Sequence, residues 1–218
     1  MLSSLPVSEF ATRLAADDMP PGGGSTAALS GLLATGLLEM AVSYSLKSPK
    51  LLETVDFLTG KQAELARLHI ELSILIDRDA LALRALLAAL QLPQLAAVET
   101  VTTPSARTVA IQKSLKQAAE VPLETARACL EVMEIAQTVL EKVDLQVVNE
   151  LMAGVLSAYA GAMSALLGTS INLDELADET LVSALKGQMY LIRSAVDEIK
   201  TAMEGKVYAM KPFVAMNM

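Results

Sequence analysis

The chain contains no tryptophan, one cysteine, one histidine and only 3% aromatic residues. Without a second cysteine, Cys129 cannot form an internal disulfide, which fits a reducing compartment and predicts a cytoplasmic protein. No cluster of Cys and His has metal-ligand spacing, so we expect no metal. The lone His69 is expected on a helix surface or boundary, and a catalytic role for it is the less favoured alternative.

Positive charge is also scarce. The sequence has 17 Lys and Arg against 25 Asp and Glu, a net charge of −8. This charge repels phosphate backbones, and no basic stripe with interleaved aromatic residues offsets it. We therefore expect no nucleic-acid partner.

What the sequence has in quantity is small and aliphatic side chains, with 53% hydrophobic residues overall. Ala, Leu, Glu, Gln and Met dominate nearly every segment, and these residues favour helices over strands. The sequence shows neither a repeat nor a linker that separates domains. We predict an all-α protein in which residues 1–218 form a single-domain bundle of long helices.

Two segments resemble membrane spans. Residues 25–46 carry one charge and residues 151–173 carry none, so both are long and apolar enough to cross a bilayer. A tryptophan belt, strong cationic flanks and a basic N-terminal region with a cleavage site are all missing. Small residues recur at four-residue spacing, which favours close helix packing: Ala27, Gly31 and Thr35 in the first segment, and Ser157, Gly161 and Ala165 in the second. We predict two buried central helices, contributing to a subunit interface, and no membrane insertion.

Prolines and capping residues predict the helix boundaries. A short helix follows Pro6, and Ser48-Pro49 ends the second helix. A long stretch runs from about residue 51 to residue 90, with a kink near Gly60 as an alternative. Two further helices are predicted to start at Thr103-Pro104 and at Pro122. Two more are predicted over about 144–167 and about 178–206, with Asn172 in a loop between them.

The most informative motif is Pro21-Gly22-Gly23-Gly24-Ser25, which opens directly into the second helix. Glycines remove side-chain cover, and Ser25 is suited to cap the helix. Bare N–H groups at the positive end of a helix bind anionic or polar ligands. The alternative is an ordinary flexible turn with a cap.

Asp79 lies in a stripe of leucines on the third helix, seven positions after Leu72 and four before Leu83. Its carboxyl group therefore belongs to the apolar face, where burial costs several kcal/mol unless a partner is present. One interpretation is a buried ion pair with an Arg or Lys of a neighbouring helix. The other is an acid or base whose pKa is raised by dry surroundings.

Glu150 has a comparable setting, because it is the last charge before the uncharged segment and follows the polar residues Asp144, Gln146 and Asn149. Acidic residues favour the first turn of a helix for electrostatic reasons alone. The same cluster is equally suited to form one wall of a polar pocket. The sequence leaves both interpretations open.

Several blocks occur in order along the chain and together resemble one family. They are Pro21 to Ser25 before an Ala-rich helix, Asp79 ahead of Leu92-Pro93, Arg107 with Ile111-Gln112 and Leu115-Lys116, Val121-Pro122-Leu123, Leu156 to Gly161, and Ile171-Asn172. From Phe10 to about Leu176, the chain resembles the formiminotetrahydrofolate cyclodeaminase and methenyltetrahydrofolate cyclohydrolase family. The resemblance implies an all-helical homodimer without metal or bound cofactor, acting on one-carbon groups carried by tetrahydrofolate.

The resemblance also implies roles for individual residues. Asp79 is the expected catalytic acid or base, with Glu150 as its partner. The expected substrate-binding residues are Gly22, Gly23, Gly24, Ser25, Lys47, Arg107, Asn149 and Asn172, while Lys50 and Lys116 are further candidates for binding the substrate's carboxylates. The chain departs from the family pattern at 47–51, where the basic charge is shifted, and at 144–150, where Glu150 is one methylene longer than the usual acid.

Two functional hypotheses follow. The first is an enzyme that acts on methenyl or formimino groups by carboxylate acid–base catalysis, with methenyl hydrolysis preferred because no formiminotransferase domain accompanies this sequence. The second is a noncatalytic folate-binding or scaffold protein of the same fold, because a displaced acid can cost about 100-fold in rate.

Overall fold

The computed structural model describes residues 1–16, 20–93 and 105–210. Over these ranges the chain forms helices and short 3-10 turns, and no strand. The α-helices are α1 (Val7–Leu14), α2 (Gly23–Ser45), α3 (Val55–Leu90), α4 (Ala106–Val139), α5 (Val148–Leu173) and α6 (Glu179–Met210). The predicted all-α fold is confirmed.

The centre of the molecule is an antiparallel pair of helices, α2 and α5. Gly154 of α5 lies against Leu38 of α2, whereas Gly161, further along α5, lies against Ala27 near the start of α2. Glycine is needed at Gly161 for space, because a Cβ there would stand 2.8 Å from the Ala27 carbonyl oxygen. The small-residue stripes in the sequence therefore do bring two backbones together.

The long helices α3 and α4 form a second antiparallel pair, with Arg78 of α3 bonded to Glu124 of α4. This pair packs on α2 and α5, and α6 covers α4 and α5. Cys129 of α4 is fully buried where the backbones of α2 and α5 approach it, 2.7 Å from the position of a Cβ on Gly31. Burial raises the pKa of its thiol to about 12, so Cys129 is a core residue.

The central helices are buried on one side only. In the most apolar window of each, half of the residues are buried, and both helices have the length and composition of a membrane span. The open side carries large apolar side chains, including Leu33 and Met40 of α2 and Leu156 of α5. Leu37 of α2 packs beside Gly154 of α5, so the two exposed stripes are adjacent.

The structure corrects several predicted boundaries. Pro122 does not begin a helix but lies inside the continuous helix α4. Asn172 lies in the last turn of α5 rather than in a loop, and α3 runs unbroken through Gly60. The predicted start at Thr103-Pro104 falls partly outside the described residues, and α4 is described from Ala106, with Ser105 as its cap.

The N-terminus is held by an acid that the sequence analysis did not single out. Asp77 of α3 accepts hydrogen bonds from the Ser3 hydroxyl at 2.6 Å and from the Leu2 backbone N–H. Burial would raise the pKa of Asp77, but these hydrogen bonds outweigh it and lower that pKa. The Asp77 carboxylate thus fastens the first turn of the chain to α3.

Candidate active site

The glycine motif forms the start of α2, but its capping differs from the prediction. Helix α2 begins at Gly23, and its N-cap residue, Gly22, is in an extended conformation and has no side chain that could cap the helix. Ser25 is not the cap, since it lies inside the first turn and its hydroxyl donates to Asp79 Oδ2 at 2.8 Å. The N–H groups of Gly23 and Gly24 therefore stand at an open helix terminus.

Gly24 is required by the close approach of Asp79. A Cβ at Gly24 would lie 1.9 Å from Asp79 Oδ1 and 2.5 Å from its Cγ, far inside any tolerable contact. In the described residues no glycine has a positive φ, so the motif serves here to provide room rather than an unusual backbone conformation. By contrast, a Cβ at Gly23 would meet nothing within 4 Å.

Asp79 reaches from the middle of α3 to the start of α2. Burial raises its pKa above that of an ordinary carboxyl group, although hydrogen bonds from the Ser25 hydroxyl and backbone N–H partly oppose this shift. No cation among the described residues pairs with Asp79, so this part of the chain does not contain the buried ion pair considered above. The group is a desolvated acid held by two donors of one residue.

Asp79 and the glycine motif line one pocket of about 220 Å³. The remaining wall comes from α3, α4 and the last turns of α5. The lining residues are Gly22, Gly23, Gly24, Asp79, Ala82, Leu83, Ala118, Pro122, Gly168, Ile171 and Asn172. In this set Asp79 is the only ionisable residue, so the described pocket carries acid and no basic side chain.

Asn172 lines the pocket from the last turn of α5. Its Nδ2 donates to the carbonyl oxygens of Gly168 at 2.8 Å and Ala118 at 2.9 Å. An Asn amide has only two N–H groups, so both are used within the protein. The group that this side chain can still offer to a ligand is its carbonyl oxygen, Oδ1.

Other predicted site residues lie elsewhere. Glu150 and Asn149 are in the first turn of α5, whereas Asn172 is in the last turn of this helix. Twenty-two positions separate Glu150 from Asn172, and a helical rise of 1.5 Å per residue makes this about 33 Å. Asp79 and Glu150 therefore do not share a pocket in one chain, and their predicted pairing there is wrong.

The Glu150 region has its own chemistry. Glu150 Oε2 is buried and has no hydrogen-bond partner in the described part of the chain. Lys47, Asp144 and Gln146 line a separate surface depression near this end of α5, together with Tyr44, Ser48, Pro49 and Lys50. Of the polar residues grouped in the sequence, Asp144 and Gln146 line this depression, whereas Asn149 and Glu150 do not, and none of the four lines the pocket at the glycine motif.

Arg107 has a structural contact that explains its position. Its guanidinium group donates to the carbonyl oxygens of Leu92 at 2.9 Å and Leu90 at 3.2 Å, where α3 ends. Unpaired carbonyl groups at a helix C-terminus favour such donors. Lys116, another candidate, is about half exposed and lies 3.8 Å from Glu120 one turn along α4. Neither side chain lines the Asp79 pocket.

His69 is 46% exposed and its Nδ1 lies 3.1 Å from the Thr35 hydroxyl, so it lies on a helix surface as predicted. Within the described ranges, no group of three His, Cys, Asp or Glu is placed to hold a metal ion. Sequence reasoning missed Pro122 as a pocket residue because it treated this proline as a helix start.

The sequence is similar to proteins of known families. A family model described as formiminotransferase-cyclodeaminase matches residues 6–190. The chain is 34% identical over 172 residues to a methenyltetrahydrofolate cyclohydrolase of Methylorubrum extorquens, covering 79% of this chain and 81% of the relative. It is 27% identical over 198 residues to a formimidoyltransferase-cyclodeaminase of Rattus norvegicus, covering 88% of this chain but 34% of that protein.

A solved structure gives the same fold. The formiminotetrahydrofolate cyclodeaminase from Thermotoga maritima matches with a TM-score of 0.86 over 96% of this chain and 99% of that chain. The two sequences are 17% identical, so this match bears on the fold alone.

Proposed function

This chain belongs to the formiminotransferase-cyclodeaminase family, and from that premise we propose that it hydrolyses the methenyl bridge of methenyltetrahydrofolate with Asp79 as acid and base. The chain is a folate one-carbon enzyme. Its 34% identity to a named cyclohydrolase supports hydrolysis as the reaction. Cyclodeamination of formiminotetrahydrofolate is the second candidate, because the matching rat protein is named for it.

The observation that carries the proposal is a desolvated carboxyl group in a pocket without a basic side chain in its described lining. A methenyl bridge between two folate nitrogens is a delocalised cation. An ionised Asp79 beside it has no cationic partner among the residues that the structure describes, so its charge acts on the substrate. The same group is positioned to exchange a proton with water in the pocket.

The hydrolysis then proceeds in three proton transfers. Water attacks the bridging carbon, a C–O bond forms, and Asp79 removes one proton from the attacking water. One C–N bond of the resulting adduct breaks, and Asp79 returns this proton to the leaving nitrogen. The proton left on the hydroxyl group passes to solvent water as the carbonyl forms, so the cationic substrate and one water give a neutral N-formyl product and one released proton. The two Ser25 donors hold the carboxylate during both steps, and the acid ends as it began.

The pocket is small for a whole folate. Its volume of about 220 Å³ lies below the roughly 300–1,000 Å³ that encloses a drug-sized ligand. We expect the pocket to hold the bridge and the adjoining ring, while the p-aminobenzoylglutamate part extends beyond it. The binding roles of Lys47, Arg107 and Asn149 and the catalytic role of Glu150 remain predictions, and each would have to act outside this pocket of the same chain.

The proposal includes a homodimer, formed through the exposed face of α2 and α5. Leu33, Met40 and Leu156 are 44–53% exposed there, on the two most apolar helices. A second copy would remove this face from water, which is the main favourable contribution to association. We further propose a cytoplasmic, single-domain enzyme that needs no metal or bound cofactor and has no membrane or nucleic-acid partner.

The test is the decay of methenyl absorbance when purified protein is added to methenyltetrahydrofolate. Asp79→Asn should lower kcat about 10²- to 10⁴-fold, as expected for loss of acid–base catalysis. Asp77→Asn is the matched control, since this acid is on the same helix but holds the N-terminus, and its rate should match the parent's below melting.

The same preparation is offered formiminotetrahydrofolate, with ammonia release as the readout. Turnover of this compound alone would replace hydrolysis by cyclodeamination as the activity. An Asp79→Asn variant that is folded and fully active would reject Asp79 as the catalytic group.

A further inference from the structure

The carbonyl group of Ala118 is an unusual feature of helix α4. In a regular helix it would accept the N–H of the residue four positions later, but that residue is Pro122, which has no N–H group. Ala118 is 7% exposed, so an unpaired carbonyl there would be costly. Asn172 of α5 supplies the missing donor through Nδ2, at 2.9 Å.

The proline thereby determines which way the Asn172 amide faces. With one N–H on Ala118 and the other on Gly168, the amide cannot turn over without losing both hydrogen bonds. Asn172 lines the Asp79 pocket, and no described donor reaches its Oδ1. A proline in one helix therefore leaves an acceptor available on another.

We infer that Pro122 and Asn172 form a coupled pair that presents Asn172 Oδ1 to the pocket, where it accepts a hydrogen bond from an N–H group of the folate ring. The inference rests on the proposed function for the identity of the ligand. Asn172 is then a specificity-determining residue, and Pro122 is a positioning residue that acts through it.

The chemistry of the pocket supports this assignment. Ionised Asp79 and Asn172 Oδ1 are both acceptors, whereas the N–H groups of Gly23 and Gly24 are donors at the start of α2. A reduced pteridine ring carries N–H donors, an exocyclic amino group and a carbonyl oxygen. The pocket therefore suits a flat ring with both kinds of group on its edge, and it disfavours an aliphatic ligand of the same size.

A double-mutant cycle tests the coupling without relying on activity. Pro122→Ala restores an N–H beneath the Ala118 carbonyl. In the parent this carbonyl already has a partner, but in Asn172→Leu it has none, so Pro122→Ala should raise Tm more in the Asn172→Leu background. Equal Tm increments in the two backgrounds would overturn the coupling.

Kinetics with methenyltetrahydrofolate test the role toward the ligand. Loss of one neutral hydrogen bond predicts about a tenfold rise in KM for Asn172→Leu, with a smaller change in kcat. Pro122→Ala should raise KM in the parent because the amide is no longer held, and should not raise it further in Asn172→Leu. An unchanged KM in Asn172→Leu would overturn the acceptor role.

Two further variants keep the test decisive. Asn172→Ala also removes the acceptor oxygen, so it should likewise raise KM, and it replaces Asn172→Leu if that variant does not fold. Gln188→Leu is the matched control, because this amide lies on α6 and bonds Arg127 away from the pocket, and its KM should equal the parent's. If the parent neither turns over methenyltetrahydrofolate nor binds tetrahydrofolate in calorimetry, the proposed function and the ligand assignment fail, while the Tm cycle still decides the coupling.

Discussion

At the scale of single residues, two acids two positions apart on α3 have opposite environments. Asp77 is an ordinary stabilising carboxylate that receives hydrogen bonds from the N-terminal turn. Asp79 is desolvated and has a raised pKa in the fold. Asp79 therefore lies where the pocket meets the start of α2, and its ionisation is disfavoured there. A perturbed acid in a cleft is typical of catalytic groups.

This contrast predicts opposite effects on stability. The folded-state pKa of Asp79 is raised, so its favourable contribution is fully present below the unfolded pKa and is lost as pH rises through the folded pKa. An Asn side chain does not ionise, so Asp79→Asn does not lose stability in this way as pH rises. Its Tm should exceed the parent's at neutral pH, and the difference should vanish in acid, as measured by thermal melts across pH.

Asp77→Asn should behave in the opposite way. The lowered pKa of Asp77 gives stability that is present above the unfolded pKa and lost as pH falls through the folded one. The variant should melt below the parent at neutral pH and approach it in acid. Parallel curves for both variants would contradict the assigned pKa directions.

Gly24 gives a second prediction at this scale. A methyl group there would overlap Asp79 Oδ1, 1.9 Å away, and push the carboxyl group off Ser25. Gly24→Ala should lower kcat by about 100-fold, the usual cost of misplacing a catalytic group by about 1 Å. Gly60→Ala, where a Cβ would meet nothing within 4 Å, is the control and should retain the parent rate.

At the scale of helices, glycines determine how closely the central pair can pack. Gly161 of α5 touches the Ala27 backbone of α2, and Cys129 of α4 fills the space beside them. Helix α4 passes through Pro122 without ending because Asn172 of α5 satisfies the carbonyl that the proline leaves unpaired. Contacts between helices, rather than local preferences, thus decide these two features.

Gly161→Ala should be destabilising despite the higher helix propensity of alanine. Its Cβ would stand 2.8 Å from a backbone oxygen, which cannot rotate away. We expect a net loss of about 1–2 kcal/mol in the free energy of unfolding, because overpacking outweighs the propensity gain of about 0.5–1 kcal/mol. Urea denaturation measures this change in the free energy of unfolding. Gly187→Ala is the control, because a Cβ there would meet nothing within 4 Å on α6, and its stability should equal or exceed the parent's.

At the scale of the whole molecule, the bundle has two distinct regions on its central helices. The Asp79 pocket lies where α2 begins and α5 ends. Glu150 and the depression lined by Lys47, Asp144 and Gln146 lie near the other end of α5. Between them runs the exposed apolar face of α2 and α5. This face is the surface through which we propose that two copies associate.

The proposed dimer predicts that a charge on this face separates the subunits. Leu33 is 53% exposed in the middle of α2, and Leu33→Glu would place a carboxylate in the interface at a cost of several kcal/mol. Sedimentation should give a dimer for the parent and a monomer for the variant. Leu81→Glu, at an exposed site on α3, is the control and should remain dimeric; a monomeric parent would reject the interface.

The sequence by itself determined the helical class, the two central helices and the position of Asp79 on the apolar face of α3, because composition and helical periodicity are local properties of the chain. Only the tertiary structure decided that Ser25 binds Asp79 instead of capping α2, that Arg107 donates to the carbonyl groups at the end of α3, and that the last turn of α5, rather than Glu150 in its first turn, lines the Asp79 pocket. Order along the chain does not say which end of one helix lies beside which end of another. The antiparallel packing of α2 and α5 brings the end of α5, rather than its start, to the start of α2. Pro122 shows the same limit. The Ala118 carbonyl that it leaves without a helical donor accepts a hydrogen bond from Asn172, fifty positions away from Pro122 in sequence.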